Sequence, residues 1–287
     1  MTVFTPVRLG DQQEYPYTQD DFAAIAAMVH AHAGICMPES KAMLIYSRLT
    51  KLVRERGFAD FARYVDLIRS DTAERARAIE ALTTNHTKFF REIHHFDHFE
   101  QHVRPALTDR LIAGGRVRLW SSAASSGEEP YSLAMTMLGT DKDLARRIMG
   151  GDIALLGTDL ADHVLRTAAD GVYPAAATDD IPDRYARLWT RRDGPNLTIA
   201  KPLKDMIRFR KLNLLNSWPI KGKFDVIFCR NVMIYFDEPT KELLLRRLSD
   251  QLVVGGHLYI GHSERLIGSA ASLFSSIGQT IYRKDKA

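Results

Sequence analysis

The sequence predicts an α/β protein with a mostly parallel sheet, a small all-helical domain before the sheet and a small β insertion within it. Residues 18–82 carry apolar side chains at helical spacing, whereas the chain after residue 115 alternates short apolar runs with helical stretches. Four prolines interrupt this alternation between residues 171 and 204. The expected organisation is a tail over residues 1–17, a helical domain over 18–82, a junction over 83–115, and a sheet domain over 116–287 that contains the insertion 171–204.

Four helices are expected in the helical domain. Thr18, followed three residues later by Asp21, resembles a capping box, and Gly34 is placed to end the first helix. Gly57 and the pair Ser70-Asp71 separate the later helices. These are expected at about residues 40–56, 61–69 and 73–82.

Short apolar runs mark the expected strands of the sheet. They lie at residues 117–120, 153–156, 207–209, 224–229 and 258–260. Runs that do not alternate with polar residues indicate strands covered by helices on both faces, as in a parallel sheet. The last candidate strand, residues 280–283, is expected to pair antiparallel.

Composition argues against several classes of protein. The 39 basic and 35 acidic residues leave a net charge of +4, so overall charge is a weak indication of nucleic-acid binding. No apolar run resembles a signal peptide or a membrane span. Cys36 and Cys229 belong to no metal-binding spacing, so we expect reduced cysteines in a cytosolic protein. His94, His98 and His102 lack an HExxH pattern, and no metal site is predicted.

The loop after the first expected strand, SSAASSGEEPY at residues 121–131, is a candidate cofactor loop. Its small side chains allow a ligand to approach the backbone. The G-x-G-x-x-G fingerprint is absent, and Glu128 and Glu129 stand where a phosphate would bind, which disfavours NAD and ATP. The sulfonium and ammonium groups of S-adenosylmethionine would be attracted there. Alternatively, the two acids only favour a helix N-terminus.

Polar residues also follow the next three strands. Asp159 follows the second strand, where a carboxylate commonly binds ribose hydroxyls. Asn213 and Leu214 follow the third strand, and Arg230 and Asn231 follow the fourth. Each position alone also suits a turn, but their recurrence at successive strand ends favours a cofactor site.

Four motifs together resemble the CheR family of chemotaxis-receptor methyltransferases. They are TNHTKFFRE at residues 84–92, SSGEEPYS at 125–132, FDVIFCRNVMIYF at 224–236 and GHSE at 261–264. The resemblance covers nearly the whole chain after Tyr17. It implies a class I S-adenosylmethionine-dependent methyltransferase fold, which is Rossmann-like and has an antiparallel last strand. It also implies methyl transfer from S-adenosylmethionine to glutamate side chains of methyl-accepting chemotaxis receptors, giving glutamate 5-O-methyl esters and S-adenosylhomocysteine.

The resemblance also assigns residues to the site. It implies that the cofactor is bound by Asn85, Thr87, Arg91, Glu129, Asp159, Asn213, Leu214, Arg230 and Asn231. Arg91 and Tyr235 would lie nearest the transferred methyl group. Since a glutamate carboxylate, with a pKa of ~4.3, is already ionised at neutral pH, these residues would align it without a general base.

Receptor contact is expected from the helical domain. Arg48, Lys51 and Arg54 recur at helical spacing, so they could form a basic strip that attracts the acidic receptor helices. A solvated helix face with no partner is the alternative. The segment 194–198 is shorter than the corresponding segment in family members that dock on a pentapeptide at the receptor tail. No such tether is therefore expected. The enzyme would be cytoplasmic and recruited to membrane-bound receptor arrays.

Two other functions stay open at this point. A nucleic-acid methyltransferase would share the basic strip and the cofactor fold, but residues 231–235, NVMIY, lack the two prolines of the loop that amine-alkylating enzymes often carry. A non-catalytic binding module could retain the same fold as a sensor or scaffold. The intact Asn85, Arg91, Glu129, Asp159 and Tyr235 count against that module.

Overall fold

The computed structural model describes residues 14–286, so most of the tail predicted over residues 1–17 lies outside the described residues. The chain divides into two units. A helical unit comprises the described residues up to Thr84 together with Tyr235–Asp237, and a sheet unit comprises Asn85–Ile234 and the residues from Glu238 onward. The sequence pattern predicted a simple succession of domains, whereas Tyr235–Asp237 belongs to the first unit.

The described part of the helical unit is built mainly from four α-helices. They are α1 (Gln19–Ala33), α2 (Ala42–Glu55), α3 (Phe61–Ser70) and α4 (Thr72–Leu82). The predicted capping box is present, because the Thr18 hydroxyl accepts a hydrogen bond from the Asp21 amide at 3.2 Å. Gly34 ends α1 in the left-handed conformation, with φ of 68°. Ile25 and Leu49 are fully buried in the core of this unit.

Among the described residues, the sheet unit contains eight further α-helices and ten strands. The helices are α5 (His94–His98), α6 (Arg104–Ile112), α7 (Glu128–Leu138), α8 (Lys142–Met149), α9 (Asp162–Asp170), α10 (Asp183–Trp189), α11 (Lys201–Met206) and α12 (Glu238–Gln251). The strands are β1 (Arg116–Ser121), β2 (Asp152–Asp159), β3 (Val172–Pro174), β4 (Thr190–Asp193), β5 (Asn196–Ile199), β6 (Ile207–Lys211), β7 (Phe224–Cys229), β8 (Leu252–Ile260), β9 (Phe274–Gly278) and β10 (Ile281–Lys284).

Seven strands form the main sheet in the order β6-β2-β1-β7-β8-β10-β9. The first five of these run parallel, and β10 pairs antiparallel with both β8 and β9. All six residues of β7 are buried, as expected for a strand covered on both faces. The predicted antiparallel last strand is therefore confirmed. Strand β9 was not predicted, because its sequence FSSIG is short, serine-rich and half exposed at the edge of the sheet.

The proline-rich insertion forms a second, smaller sheet. Strands β3, β5 and β4 pair antiparallel in that order, and Gly194-Pro195 makes the tight turn between β4 and β5. Pro182 precedes α10, and Pro202 lies in the first turn of α11. The prolines therefore mark a turn and helix starts within a folded subdomain.

Three histidines pack on or beside β8. His95 is fully buried with its Nε2 2.9 Å from the Thr280 hydroxyl, and His98 Nδ1 lies 2.9 Å from the Tyr259 hydroxyl. Burial lowers the pKa of His95 to about 3 and the pKa of His257, which belongs to β8, to about 4. These side chains are therefore neutral in the folded protein at neutral pH.

His95 and His257 should each lower the stability as the pH drops from about 6.5 toward 4, because the unfolded chain then binds protons at these two side chains that the folded chain does not. Each group contributes a slope of up to about 1.4 kcal/mol per pH unit. The urea midpoint measured across this range checks the expectation. His257→Asn should flatten the slope. An unchanged slope in His257→Asn would contradict the assignment.

Candidate active site

The loop after β1 is held closely against its neighbours at the carboxyl ends of the parallel strands. The Ser122 amide donates to the Phe228 carbonyl at 2.9 Å, and the Ala124 amide donates to the Thr158 carbonyl at 2.8 Å. Gly127 then starts α7 with φ of 100°. Ligands bind at this edge of open α/β sheets, so the predicted cofactor loop is placed where a ligand can reach it.

Gly127 has no room for a side chain. A Cβ atom there would lie 2.8 Å from Ala168 Cβ and 2.9 Å from the Tyr173 hydroxyl, in a backbone conformation that L-residues rarely adopt. We therefore expect Gly127→Ala to lower the free energy of unfolding by about 1–3 kcal/mol and to weaken cofactor binding. Urea unfolding and calorimetric titration with S-adenosylhomocysteine would measure both. Gly222→Ala is the matched control, since a Cβ there meets nothing within 4 Å, and equal effects of the two changes would refute the prediction.

Asp159, at the end of β2, connects two loops of the site. Its Oδ2 accepts a hydrogen bond from the Ser125 amide at 2.8 Å, and its Oδ1 accepts one from the Ala161 amide at 3.0 Å. Burial raises the pKa of this carboxyl, and the backbone amides partly offset the increase. A carboxylate has further lone pairs beyond these two bonds, so Asp159 retains the capacity to accept from a diol.

A buried ion cluster lies beneath these loops. The Arg230 side chain is 1% exposed, and its Nη1 lies 2.8 Å from Glu129 Oε2 while its Nη2 lies 3.2 Å from Glu92 Oε2. Nη2 also donates to the Arg91 carbonyl. Glu129 additionally accepts from the Ser121 hydroxyl at 2.7 Å. Two carboxylates surround one guanidinium, so the ionised cluster carries an excess negative charge.

This cluster changes the interpretation of the two adjacent acids. The sequence suggested that Glu128 and Glu129 attract the cofactor directly, but Glu129 is engaged by Arg230 and Glu128 accepts from the Ser126 hydroxyl at 2.7 Å. Burial raises the pKa of both Glu128 and Glu129. Both acids therefore already have partners within the protein.

Glu92 extends the cluster toward the loop after β7. Its Oε1 lies 2.9 Å from His262 Nδ1 and accepts from the Asn231 amide group at 3.2 Å. Burial alone would raise the pKa of Glu92, but Arg230, His262 and Asn231 together lower it to about 2. Glu92 is therefore an anion throughout the physiological range.

Glu264 holds the loop after β7 in place. Its carboxylate is 5% exposed and accepts hydrogen bonds of 2.6–3.3 Å from the amides of Gly261, Asn231, Met233 and Ile234. A Cβ at Gly261 would lie 2.5 Å from Asn231 Nδ2, so only glycine fits beside this loop. Neither Glu92 nor Glu264 was assigned a role from the sequence, although both lie inside the quoted motifs.

Strained backbone is concentrated in these same segments. Within residues 14–286, the non-glycine residues with positive φ are Phe90, Glu92, Ser125, Asn231 and Thr280. The first four lie in the segments just described. Each such conformation costs about 1–3 kcal/mol and persists only where the surrounding structure enforces it. Such strain is typical of a preorganised site.

The other predicted cofactor residues lie on the same loops or next to them. The Asn85 carbonyl accepts from the Ser125 hydroxyl at 2.9 Å, and half-buried Arg91 donates through Nη1 to the His86 carbonyl at 3.0 Å. Asn213 accepts from the Leu215 amide at 2.9 Å in the turn after β6. Thr87 is half-buried and Leu214 is buried.

Tyr235 belongs to the helical unit, unlike Arg91. Its carbonyl accepts from the Cys36 amide at 2.8 Å, and Lys41 Nζ lies 5.5 Å from the centre of its ring. The assignment of Tyr235 beside the transferred methyl group stays a prediction.

The predicted basic strip on α2 is only partly available to a partner. Arg48 donates to the carbonyls of Leu82 and Thr83 at 2.9 and 2.7 Å, so it holds the end of α4. Arg54 pairs with Glu14 and remains 57% exposed. Lys51 is 79% exposed and lies 3.9 Å from Glu55, which makes it the most accessible of the three basic side chains. Within residues 14–286 no helix has both the length and the apolar character that a membrane crossing requires.

Comparison with known proteins identifies the family. Residues 20–83 match the family described as "CheR methyltransferase, all-alpha domain", and residues 85–283 match "CheR methyltransferase, SAM binding domain". A probable chemotaxis protein methyltransferase of Rhizobium etli is 44% identical over 89% of this chain and 96% of its own length. Chemotaxis protein methyltransferase 2 of Pseudomonas aeruginosa is 38% identical over 98% of this chain and 99% of its own. The Escherichia coli enzyme is 36% identical over 92% and 91%. The resemblance seen in the motifs is confirmed, and the chain belongs to the CheR methyltransferase family.

Proposed function

We propose that this chain transfers the methyl group of S-adenosylmethionine to glutamate carboxylates of chemotaxis receptors, and that Arg91 and Tyr235 align the reacting carboxylate. The observation that carries the proposal is the match of both parts of the chain, residues 20–83 and 85–283, to the two CheR domains. S-adenosylmethionine as cofactor follows from this family, and the relatives are named for methylation in chemotaxis.

The described residues fit this cofactor. With both acids ionised, the cluster of Glu92, Glu129 and Arg230 has an excess negative charge, which complements the positive sulfonium and ammonium groups. Asp159 provides a carboxylate for the ribose hydroxyls at the end of β2. The small side chains of residues 121–127 allow close approach to the backbone. Asn85, Thr87, Arg91, Asn213, Leu214, Arg230 and Asn231 are proposed to complete the pocket.

The reaction needs few protein groups. Bound S-adenosylmethionine supplies a methyl group on a cationic sulfur and leaves as S-adenosylhomocysteine. A receptor glutamate, ionised at neutral pH because its pKa is ~4.3, attacks the methyl carbon without a general base. The protein must hold the carboxylate in line with the methyl group and exclude water. Arg91 serves alignment best if it orients the carboxylate without fully pairing with the attacking oxygen.

For receptor binding we propose that the exposed side chains of Lys51 and Arg54 attract the acidic receptor helices, with Arg48 mainly holding the α2–α4 contact. Lys51→Glu should reduce kcat/KM by about threefold to tenfold at low salt and by less at high salt, since exposed charges act through screened attraction. Steady-state rates at two ionic strengths would measure this. Lys142→Glu, at an exposed position of α8, is the matched control, and a salt-independent loss in Lys51→Glu would contradict the proposal.

The β4–β5 turn supports a further proposal about recruitment. The strands are joined by only two residues, Gly194 and Pro195, so the turn offers little surface for docking a receptor-tail pentapeptide. We expect recruitment to receptor arrays through the methylated helices themselves, with no membrane insertion and no nucleic acid as substrate.

The deciding experiment uses labelled S-adenosylmethionine with receptor cytoplasmic fragments that contain or lack the tail pentapeptide. Mild alkali hydrolyses carboxyl methyl esters and leaves N-methyl groups intact. Alkali-labile label at equal rates on both fragments supports the proposal. Alkali-stable label, or label on DNA and none on receptor, would favour a nucleic-acid methyltransferase. Cofactor binding without transfer to any receptor would favour a non-catalytic module.

A further inference from the structure

Three side chains of the helical unit bring together atoms of the kinds that bind metal ions. His30 lies in the last turn of α1, Cys36 follows that helix, and Asp237 ends the segment Tyr235–Asp237. One ligand atom from each, a ring nitrogen, a sulfur and a carboxylate oxygen, lies within 4.8 Å of the other two. Sequence spacing could not indicate this group, since His30 and Asp237 are 207 residues apart.

The backbone around these side chains is held in place. Gly34, with φ of 68°, turns the chain at the end of α1 and donates to the His30 carbonyl at 2.8 Å. Ile35 forms an antiparallel bridge with Phe236, and the Cys36 amide donates to the Tyr235 carbonyl at 2.8 Å. The ligand atoms are therefore brought together by main-chain pairing on both sides of the cluster.

We propose that His30, Cys36 and Asp237 bind one Zn²⁺ ion. Imidazole, thiolate and carboxylate are all zinc ligands, and three protein ligands with a water molecule complete a tetrahedral site. This proposal differs from the expectation drawn from the sequence, which was that the chain binds no metal. The proposal concerns ion binding only and does not depend on the proposed methyl transfer.

The geometry needs little adjustment to accept the ion. His30 Nε2 and Asp237 Oδ2 are 2.8 Å apart, as in a direct hydrogen bond. Across a tetrahedral zinc with bonds of about 2.0–2.1 Å the two atoms would be about 3.4 Å apart. The side chains of His30 and Asp237 are 48% and 36% exposed, so they can separate by this small amount and the ion can enter from solvent.

Binding would have a local structural consequence. The ion would join α1 directly to the segment that carries Tyr235, in addition to the bridge between Ile35 and Phe236. Zinc would therefore make this segment harder to detach from the helical unit. Because Tyr235 is one of the residues proposed to act in catalysis, bound zinc would affect how firmly a catalytic residue is held.

Titration of the full chain with Co²⁺, followed by displacement with Zn²⁺, tests the proposal. Cobalt reports thiolate ligation by a charge-transfer absorption in the near ultraviolet. We expect one ion per chain and loss of that absorption in Cys36→Ser. The affinity for the ion should be about a hundredfold weaker in His30→Gln and Asp237→Asn. This effect is larger than the loss of most residues that only hydrogen-bond to a metal ligand. His32→Gln, in the same helical turn as His30, is the matched control and should bind within about twofold of the parent chain.

Several results would overturn the proposal. They are the absence of a thiolate absorption in the parent chain, its persistence in Cys36→Ser, and equal weakening by His32→Gln and His30→Gln. Circular dichroism of each variant shows whether it is folded. Should Cys36→Ser fail to fold, His30→Gln and Asp237→Asn decide the question by affinity alone.

Discussion

Replacement of Arg230 by Met is expected to lower the free energy of unfolding by about 3–5 kcal/mol, because it leaves the carboxylates of Glu92 and Glu129 buried without their cation. The two acids are only 11% exposed, so water cannot replace the guanidinium. Urea unfolding of the full chain measures the effect. Arg192→Met, at an exposed position of β4, is the control and should change stability by less than about 0.5 kcal/mol.

The same cluster predicts a partial rescue. Removing one of the two acids as well, in the double variant Arg230→Met with Glu129→Gln, should recover part of the lost stability, since one fewer buried charge is left unpaired. Additive losses in the double variant would show that the three side chains do not act as one ion cluster.

Replacement of Arg91 by Ala is expected to reduce kcat/KM about a hundredfold or more while the fold is retained, since the geometry of the reacting groups governs methyl transfer. The side chain is half-buried and donates one hydrogen bond to the His86 carbonyl, so little stability depends on it. Methyl transfer to receptor fragments, with cofactor affinity measured separately, distinguishes alignment from binding. Arg166→Ala, at an exposed position of α9, is the matched control, and unchanged turnover in Arg91→Ala would remove Arg91 from the mechanism.

Much of the fold could be predicted from local sequence. Helices α1 to α4 have apolar residues at helical spacing and clear end signals, and five of the six residues of β7 are apolar. The edge strand β9 was missed because it is partly exposed and contains two serines, so its sequence shows neither helical spacing of apolar residues nor an apolar run. Rules based on local sequence therefore predict buried helices and strands better than strands at the edge of a sheet.

The site was only partly predictable for a different reason. Residues after strand ends could be found because parallel strands end at one edge of a sheet. The partners of those residues could not, since Arg230 and Glu129 are 101 residues apart and Glu264 acts on a loop 30 or more residues before it. Pairing across such separations depends on topology, which also brought His30 to Asp237.

The position of β10 has a consequence for synthesis on the ribosome. This strand lies between β8 and β9, although it follows both in sequence. During translation β9 therefore has no neighbour to pair with until residues 281–284 have left the exit tunnel, and β8 keeps one open edge for the same time. Lys284, whose ammonium donates to the carbonyls of Ser249 and Leu252, then fixes the strand against the end of α12. The sheet thus closes only after residues 281–284 have emerged, and a nascent chain stalled before residue 281 should expose β8 to chaperones.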